Sequence, residues 1–403
     1  MSKFEVAVIG GGLAGMIAAV ALARGGRNVA LVAPPSPKED RRTTALMDQS
    51  IRFLDRLTLW EKLRPAAAPL TSMRIIDGTN RLLRAPTTSF RSAEVGLEAF
   101  GYNFPNKALM DVLEAAVAAE GNITRFTVMA ETIGIASEAV TIKLSGGEEI
   151  SADFVIGADG RKSKLRETAG IDVHTWSYPQ SAMVLNFAHT LPHQNTSTEF
   201  HTEHGPFTQV PLPGNRSSLV WVQNPSDATA RIELSLAELG NVVEERMQSI
   251  LGKVDVEEGV QIWPLSGMMA HRFGKGRIAL IGEAAHVFPP IGAQGLNLSL
   301  RDIMALTDLL CARAELPIPS DAGSSFDRKR RVDIMTRTAS VDLLNRSLLS
   351  GFLPVQMLRA AGLHILSAIP PLRNIVMREG IEPGRGFRDI PDAIRERLKR
   401  KKA

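Results

Sequence analysis

The feature that most restricts this chain is a run of glycines close to its start. Gly10-Gly11-Gly12-Leu13-Ala14-Gly15 follows the apolar stretch Phe4–Ile9 and leads into the alanine-rich stretch Leu13–Arg24. That order reads as buried strand, tight turn, helix. Gly25-Gly26 ends the helix and Val29–Val32 supplies a second apolar strand, which completes a βαβ unit. In a G-x-G-x-x-G turn the first glycine, Gly10, allows the sharp bend. Gly12 lets backbone approach a pyrophosphate, and Gly15 lets the helix lie close on the strand. Free N–H groups at the helix start suit phosphate oxygens. The pattern predicts a dinucleotide-binding α/β domain, with a purely structural glycine turn as the alternative. The acid expected about 20 residues further on, to hold a ribose, is missing. Ala33-Pro34-Pro35 stands there, and Glu39 and Asp40 come later. The turn alone therefore leaves NAD and FAD both open.

Bulk properties narrow the class. With 44% apolar and 22% charged residues the composition is that of an ordinary globular protein. The length suits two or three domains, or one large interrupted one. A single cysteine, Cys311, excludes an internal disulfide, a redox CxxC pair and a cysteine-rich metal site. A cytoplasmic location is the expectation. Lys and Arg number 47 against 43 Asp and Glu. The whole excess lies in residues 381–403, which hold eight basic and four acidic side chains. A balanced body argues against nucleic-acid binding. Glycines interrupt the apolar run 6–22, which speaks against a signal peptide. Phe352–Leu372 carries Arg359, His364 and three prolines, a poor spanning helix.

Further along, helices are expected over Thr44–Leu57, Lys107–Ala119, Leu296–Leu310 and Ser325–Leu349. The apolar alternation between Val128 and Leu144 predicts short paired strands. Between about 176 and 264 the texture turns β-rich, with Pro211-Leu212-Pro213-Gly214-Asn215 as a turn. Nucleotide-binding pieces thus flank an inserted sheet.

Two more constellations deliver a carboxylate at the end of a strand. In Val155-Ile156-Gly157-Ala158-Asp159-Gly160 it is Asp159, followed by Arg161, Ser163 and Arg166. In Arg277-Ile278-Ala279-Leu280-Ile281-Gly282-Glu283 it is Glu283, followed by His286 and the loop Pro289-Pro290-Ile291-Gly292-Ala293-Gln294-Gly295-Leu296-Asn297. That loop opens a helix whose free N–H groups suit a negatively charged ring oxygen.

With these three motifs in order, the chain resembles the aromatic hydroxylases among the flavoprotein monooxygenases. The subfamily it is most similar to is the ubiquinone-biosynthesis hydroxylases. Asp40-Arg41-Arg42-Thr43-Thr44-Ala45-Leu46 fits that subfamily's D-x-R-x-x-A-L pattern, and Gly205-Pro206 through Trp221 matches as well. The resemblance spans nearly the whole chain. It implies a Rossmann-like FAD-binding domain interrupted by a β-sheet substrate domain, with a helical C-terminal region. The implied boundaries are 1–75, 100–175 and 265–345 for FAD binding, 76–99 and 176–264 for the substrate side, and 346–403 for the helical end with its basic tail.

By the same resemblance Gly10, Gly12 and Gly15 hold the ADP half of FAD. Arg42 approaches the phosphates or ribityl chain, and Asn106 faces the cofactor where many relatives have Arg or Gln. Asp159 belongs to a fingerprint tied to both FAD and NAD(P)H. Glu283 stands where relatives place an Asp on the ribityl hydroxyls. Pro289, Gly292, Gly295, Leu296 and Asn297 line the isoalloxazine ring. Plainer roles stand beside these: Asp159 as a turn cap, Glu283 as a solvated edge carboxylate, His286 as a structural residue. His201 and His204 invite a metal reading, but only Glu203 supports it.

The implied reaction is hydroxylation of a prenylated phenol or quinone precursor, with NAD(P)H reducing the flavin and O2 supplying the oxygen. The cofactor carries the chemistry, and the protein supplies placement and a dry pocket. No catalytic base is identifiable from the sequence. A prenyl-chain reductase and a non-catalytic scaffold of a biosynthetic assembly are the competing functions. A membrane-borne substrate gives the segment Phe352–Ile369 two readings, a docking helix or a helix packed on the body. The tail beyond it is either a contact for anionic lipid or for a partner in an assembly, or a solvated end.

Overall fold

A computed structural model describes residues 1–35, 40–79, 86–289 and 294–349. The segment Phe352–Ile369, the basic tail, Glu39 and Gly292 lie outside the described residues.

The first sheet is built on Ser2–Ile9, whose Val6, Ala7 and Val8 are wholly buried. It pairs in parallel with Val29–Val32 on one side and Glu149–Gly157 on the other. Ile123–Phe126 and Ile278–Leu280 extend the parallel set. Continuous apolar runs suit these strands because both faces are covered. Helix Leu13–Arg24 buries nine of its residues, Met16, Ile17 and Val20 among them. It packs between Asn106–Ala119 and Gln294–Cys311. Arg27 locks this layer. Its buried guanidinium donates to the carbonyls of Leu310, Ala314 and Leu316 and pairs with Glu5. Orphan carbonyls at the end of a helix need such donors.

The register decides where the motifs come out. Ile9 stands level with Val32 and with Gly157, and Gly157 with Leu280. The glycine turn, Ala158-Asp159 and Gly282-Glu283 therefore leave the sheet along one edge, its carboxyl end. In open α/β sheets ligands bind at this edge.

The second sheet runs, in order, His286–Val287, Gln261–Ala270, Val173–His189, Arg216–Gln223, Gly205–Leu212, Thr196–Thr202, Ser72–Asp77 and Thr88–Arg91. All neighbours are antiparallel except Thr196–Thr202 with Ser72–Asp77. One face carries Met183, Leu185, Phe187, Phe200, Phe207, Leu219 and Trp221, and Leu239 and Val243 of the helix Leu236–Arg246 pack on it. The alternate residues Val184, Val210, Val220, Met73, Ile75 and Phe90 are only half-buried. Period-two alternation places them on the opposite face.

One expected helix is partly a strand. Thr43–Met47 pairs antiparallel with Gly101–Pro105, and the helix covers only Asp48–Arg56. Leu46, Ile51, Leu54 and Leu57 are all buried, so the apolar spacing reports burial correctly. It cannot tell a strand held by a distant partner from a helix turn. The other expected helices appear within a few residues of their predicted ends, as Asn106–Ala119, Gln294–Cys311 and Ala322–Leu349.

Candidate functional site

At the glycine turn the three glycines differ in what surrounds them. Gly10 has φ +123°, and a Cβ there would lie 2.2 Å from the Ala158 carbonyl oxygen. A Cβ on Gly15 would lie 2.0 Å from the Gly10 carbonyl oxygen. These two let the chain pack against itself. A Cβ on Gly12 would meet nothing within 4 Å. Gly12 is also the N-cap of the first helix, and no side chain caps that end. Uncapped N–H groups beside an open approach fit a pyrophosphate. A Cβ on Gly11 would press on Ala33, which is buried at the end of the second strand.

Asp159 leaves the sheet beside this turn. One carboxylate oxygen accepts from the backbone N–H of Lys164 at 2.7 Å and more weakly from Leu165. The other is buried with no hydrogen-bond partner among the described residues. An orphaned acceptor of this kind needs a donor, and a ribose or ribityl hydroxyl supplies one. Capping and ligand contact are thus compatible, because each uses a different oxygen. Arg166 joins this motif to the third by donating to the Ala284 carbonyl at 2.9 Å. Glu283 sits in the short turn Gly282–Ala284, is more than half exposed, and pairs with Arg161 at 3.1 Å.

Arg42 and Asn106 come together around Asp40. The Asp40 carboxylate receives Arg42 Nε and NH2, each at 2.8 Å, and Asn106 Nδ2 at 2.8 Å. Thr44 donates to Asn106 Oδ1 from the other side. Burial would push the Asp40 carboxyl up, but Arg42 and Asn106 outweigh it and hold it below the usual range. The Arg42 guanidinium is held charged mainly by Asp40, with Glu283 adding to the effect. It lies 5.6 Å from the ring centre of Trp263. Asp40, late in sequence for ribose binding, is thus turned to Arg42 and Asn106.

The residues of the third motif divide. Asn297 accepts from Met47 N–H at 2.9 Å and Ser50 Oγ at 2.7 Å, and donates to the Ala45 carbonyl at 2.8 Å. It fastens the helix start to the strand Thr43–Met47, which follows Arg42. Pro289 is buried, Leu296 half-buried and Gly295 exposed. His286 is buried, stacks on Phe288 with ring centres 5.3 Å apart, and bonds Asp302 at 2.7 Å. Arg330 meets the second Asp302 oxygen at 2.8 Å. Nothing in the spacing of His286, Asp302 and Arg330 along the chain foretells this trio. His201 and His204 part company: His201 bonds Glu199, and His204 approaches Asn224. Trp263 and Glu199 lie on the half-buried sheet face, which strand alternation alone does not single out.

A model described as the FAD binding domain matches residues 3–315. A ubiquinone hydroxylase of Rhodospirillum rubrum, UbiL, is 31% identical, over 96% of this chain and 93% of its own. The chain belongs to the FAD-binding ubiquinone hydroxylases. Another relative, the 3-demethoxyubiquinol 3-hydroxylase of Escherichia coli, is 29% identical over 89% of this chain and 93% of its own. Among solved structures, p-nitrophenol 4-monooxygenase PnpA of Pseudomonas putida superposes with a TM-score of 0.77. It covers 96% of this chain and all of its own at 19% identity, a likeness of fold. Family membership makes this hydroxylase a flavoprotein enzyme of the monooxygenase class. The uncapped helix end, the open approach at Gly12 and the orphaned Asp159 oxygen fit its FAD.

Proposed function

We propose that the chain is an FAD-dependent monooxygenase that hydroxylates the aromatic ring of a prenylated phenol on the way to ubiquinone. The observation that carries this reading is the level register of Ile9, Gly157 and Leu280, which brings three motifs to one sheet edge. In this reading Gly10, Gly12 and Gly15 hold the ADP half, Asp159 and Glu283 take the hydroxyls, and Arg42 balances phosphate charge. Bound FAD supplies the redox chemistry between NAD(P)H and O2. Asn106 keeps Asp40 in place, and Asn297 keeps the strand Thr43–Met47 against the start of the helix Gln294–Cys311. Residues 1–75, 100–175 and 265–345 serve the cofactor. Residues 76–99 and 176–264 serve the substrate and keep water from it.

Among the described residues no helix is long and apolar enough to cross a membrane. We place the basic segment 381–403 at anionic lipid or at a partner in an assembly, since a prenylated substrate resides in the bilayer. Removing residues 391–403 should weaken binding to anionic liposomes and leave FAD content unchanged; unaltered binding returns the tail to a solvated end.

The central test is purification, a visible spectrum, and NADH and NADPH oxidation with and without a short-chain prenylated phenol. A yellow protein whose oxidation is stimulated by the phenol, with hydroxylated product formed, supports the reading. A colourless protein that FAD cannot reconstitute sinks it. Anaerobic reduction of an alkene would move the chain to the prenyl reductases.

A further inference from the structure

The half-buried face of the second sheet carries Glu199 among apolar and uncharged polar neighbours, with Asp77 and His201 beside it. Glu199 stands opposite Thr208 and beside Ile75. Further across the same row come Val220, Val184 and Gln261. Val210, Met73 and Phe90 lie on the same face. This face also meets the start of the strand Thr43–Met47, next to Arg42. Thr43 bonds Ser218 at 2.9 Å, and Arg42 lies over Trp263. Strands are about 4.8 Å apart, so a surface roughly 19 Å wide separates Glu199 from the Arg42 end. Val220 and Val184 lie along that span.

Two carboxylates occupy this face near one another. Asp77 is turned to Thr79, whose N–H and hydroxyl it accepts. Glu199 receives His201 Nε2 at 2.8 Å on one oxygen and Thr208 Oγ1 at 3.2 Å on the other. Its side chain keeps 24% exposure, while His201 keeps 9%. Each carboxylate oxygen has a second lone pair, so Glu199 retains acceptor capacity on its accessible side. Burial would push its carboxyl up, but His201 and Thr208 outweigh burial and hold it ionised.

We propose that Glu199 is the catalytic residue that accepts the proton of the substrate's ring hydroxyl. The assignment rests on the function proposed above. In the ground state the hydroxyl donates a hydrogen bond to a carboxylate too acidic to remove its proton. As oxygen adds to the ring, the hydroxyl becomes strongly acidic. Its O–H bond breaks, the bonding pair becomes the C=O π bond of a ring dienone, and the proton passes to Glu199. The hydrogen on the new C–O carbon then leaves as a proton to solvent, and its C–H pair restores the aromatic ring as the carbonyl π pair returns to the oxygen. Glu199 returns its proton to the oxygen. Thr208 and His201 act as positioning residues, because they fix the carboxylate and keep it charged.

The test compares the wild-type holoenzyme with Glu199→Gln on a short-chain prenylated phenol and on its methyl ether. With the phenol, kcat for hydroxylation should fall about 100-fold or more, the range of a lost general base, with KM changed less than about threefold. FAD content and NAD(P)H oxidation should persist. With the ether, which has no proton to give, the two enzymes should be equally slow. Glu199→Asp should recover part of the phenol rate, and it keeps the assignment testable if Glu199→Gln does not fold. Four results overturn it: an unchanged phenol rate, an ether slowed as much as the phenol, a rate loss matched by lost FAD, or no gain from Asp over Gln. If the wild type itself fails to hydroxylate the phenol, the proposed function falls, and the base assignment falls with it.

Discussion

In the proposed function, the carboxyl edge of the parallel sheet and the half-buried face of the antiparallel sheet recognise by opposite means. At the edge, backbone does the work. Gly10 and Gly15 sit where a Cβ would lie 2.2 Å and 2.0 Å from carbonyl oxygens, and helix N–H groups stand uncapped. On the sheet face, side chains do the work: valines form a floor and Glu199 offers a charge. A pyrophosphate is the same in every FAD, so a backbone cradle serves it. Substrates differ among related enzymes, and a sheet face changes its chemistry one side chain at a time while the fold stays put.

The face is the place to look for the largest difference between neighbours. Trp221 and Val220 are adjacent, yet they point to opposite sides. Trp221 is 3% exposed against Phe207, with Arg231 stacked 4.5 Å from its ring centre. Trp221→Ala should cost about 3–5 kcal/mol. Val220→Ala should cost about 1 kcal/mol or less, since its methyls are only half removed from water. Its effect should appear instead in KM for the phenol. Urea midpoints of the two variants check this, and similar losses would mean that both faces are core.

At the edge, Gly10→Ala should cost about 3 kcal/mol, from a strained left-handed φ together with a backbone clash. The measurement is the same urea midpoint, taken on apoprotein so that lost FAD does not enter. A variant as stable as wild type would show that the turn can open without the sheet.

The edge was far more legible in the sequence than the face. Glycine spacing, apolar runs and the Gly-Ala-Asp and Gly-Glu strand ends are local patterns, and local patterns survive without knowledge of the fold. Those patterns alone put Asp159 and Gly12 at the ends of strands. They do not give their partners. Arg42 was visible, but its clasp with Asp40 and Asn106 joins residues 66 positions apart. His286 was visible as an isolated histidine, and Asp302 and Arg330 give it meaning only once two helices pack. Glu199 was hidden for a further reason. Strand alternation says that residues 197, 199 and 201 share a face, but not which face meets the cofactor edge. Residues 44–47 share the helical apolar spacing of Thr44–Leu57, yet they are strand because their partner, Gly101–Pro105, is far along the chain.

Two smaller effects separate ligand contact from structure at the edge itself. Asp159→Ala removes an acceptor from the start of helix Lys164–Thr168, and losing such a cap costs about 1 kcal/mol. If the buried second oxygen holds a cofactor hydroxyl, FAD or NAD(P)H affinity should fall by more than that stability loss accounts for. Equal losses in apoprotein and holoprotein would leave Asp159 a cap alone. Gly12→Val completes the set as the reverse of Gly10→Ala. Gly12 has φ −75° and ψ 175°, which any residue adopts, and a Cβ there touches no protein atom within 4 Å. The weaker N-cap and the stiffer unfolded chain oppose each other, so apoprotein stability should stay within about 1 kcal/mol of wild type. The space those methyls fill is the approach to the uncapped helix end, so the purified variant should be colourless. Stability held and flavin lost at Gly12, against stability lost at Gly10, is the signature of one turn with an inner side built for the chain and an outer side built for a ligand. Normal flavin content in Gly12→Val would move the pyrophosphate away from this turn.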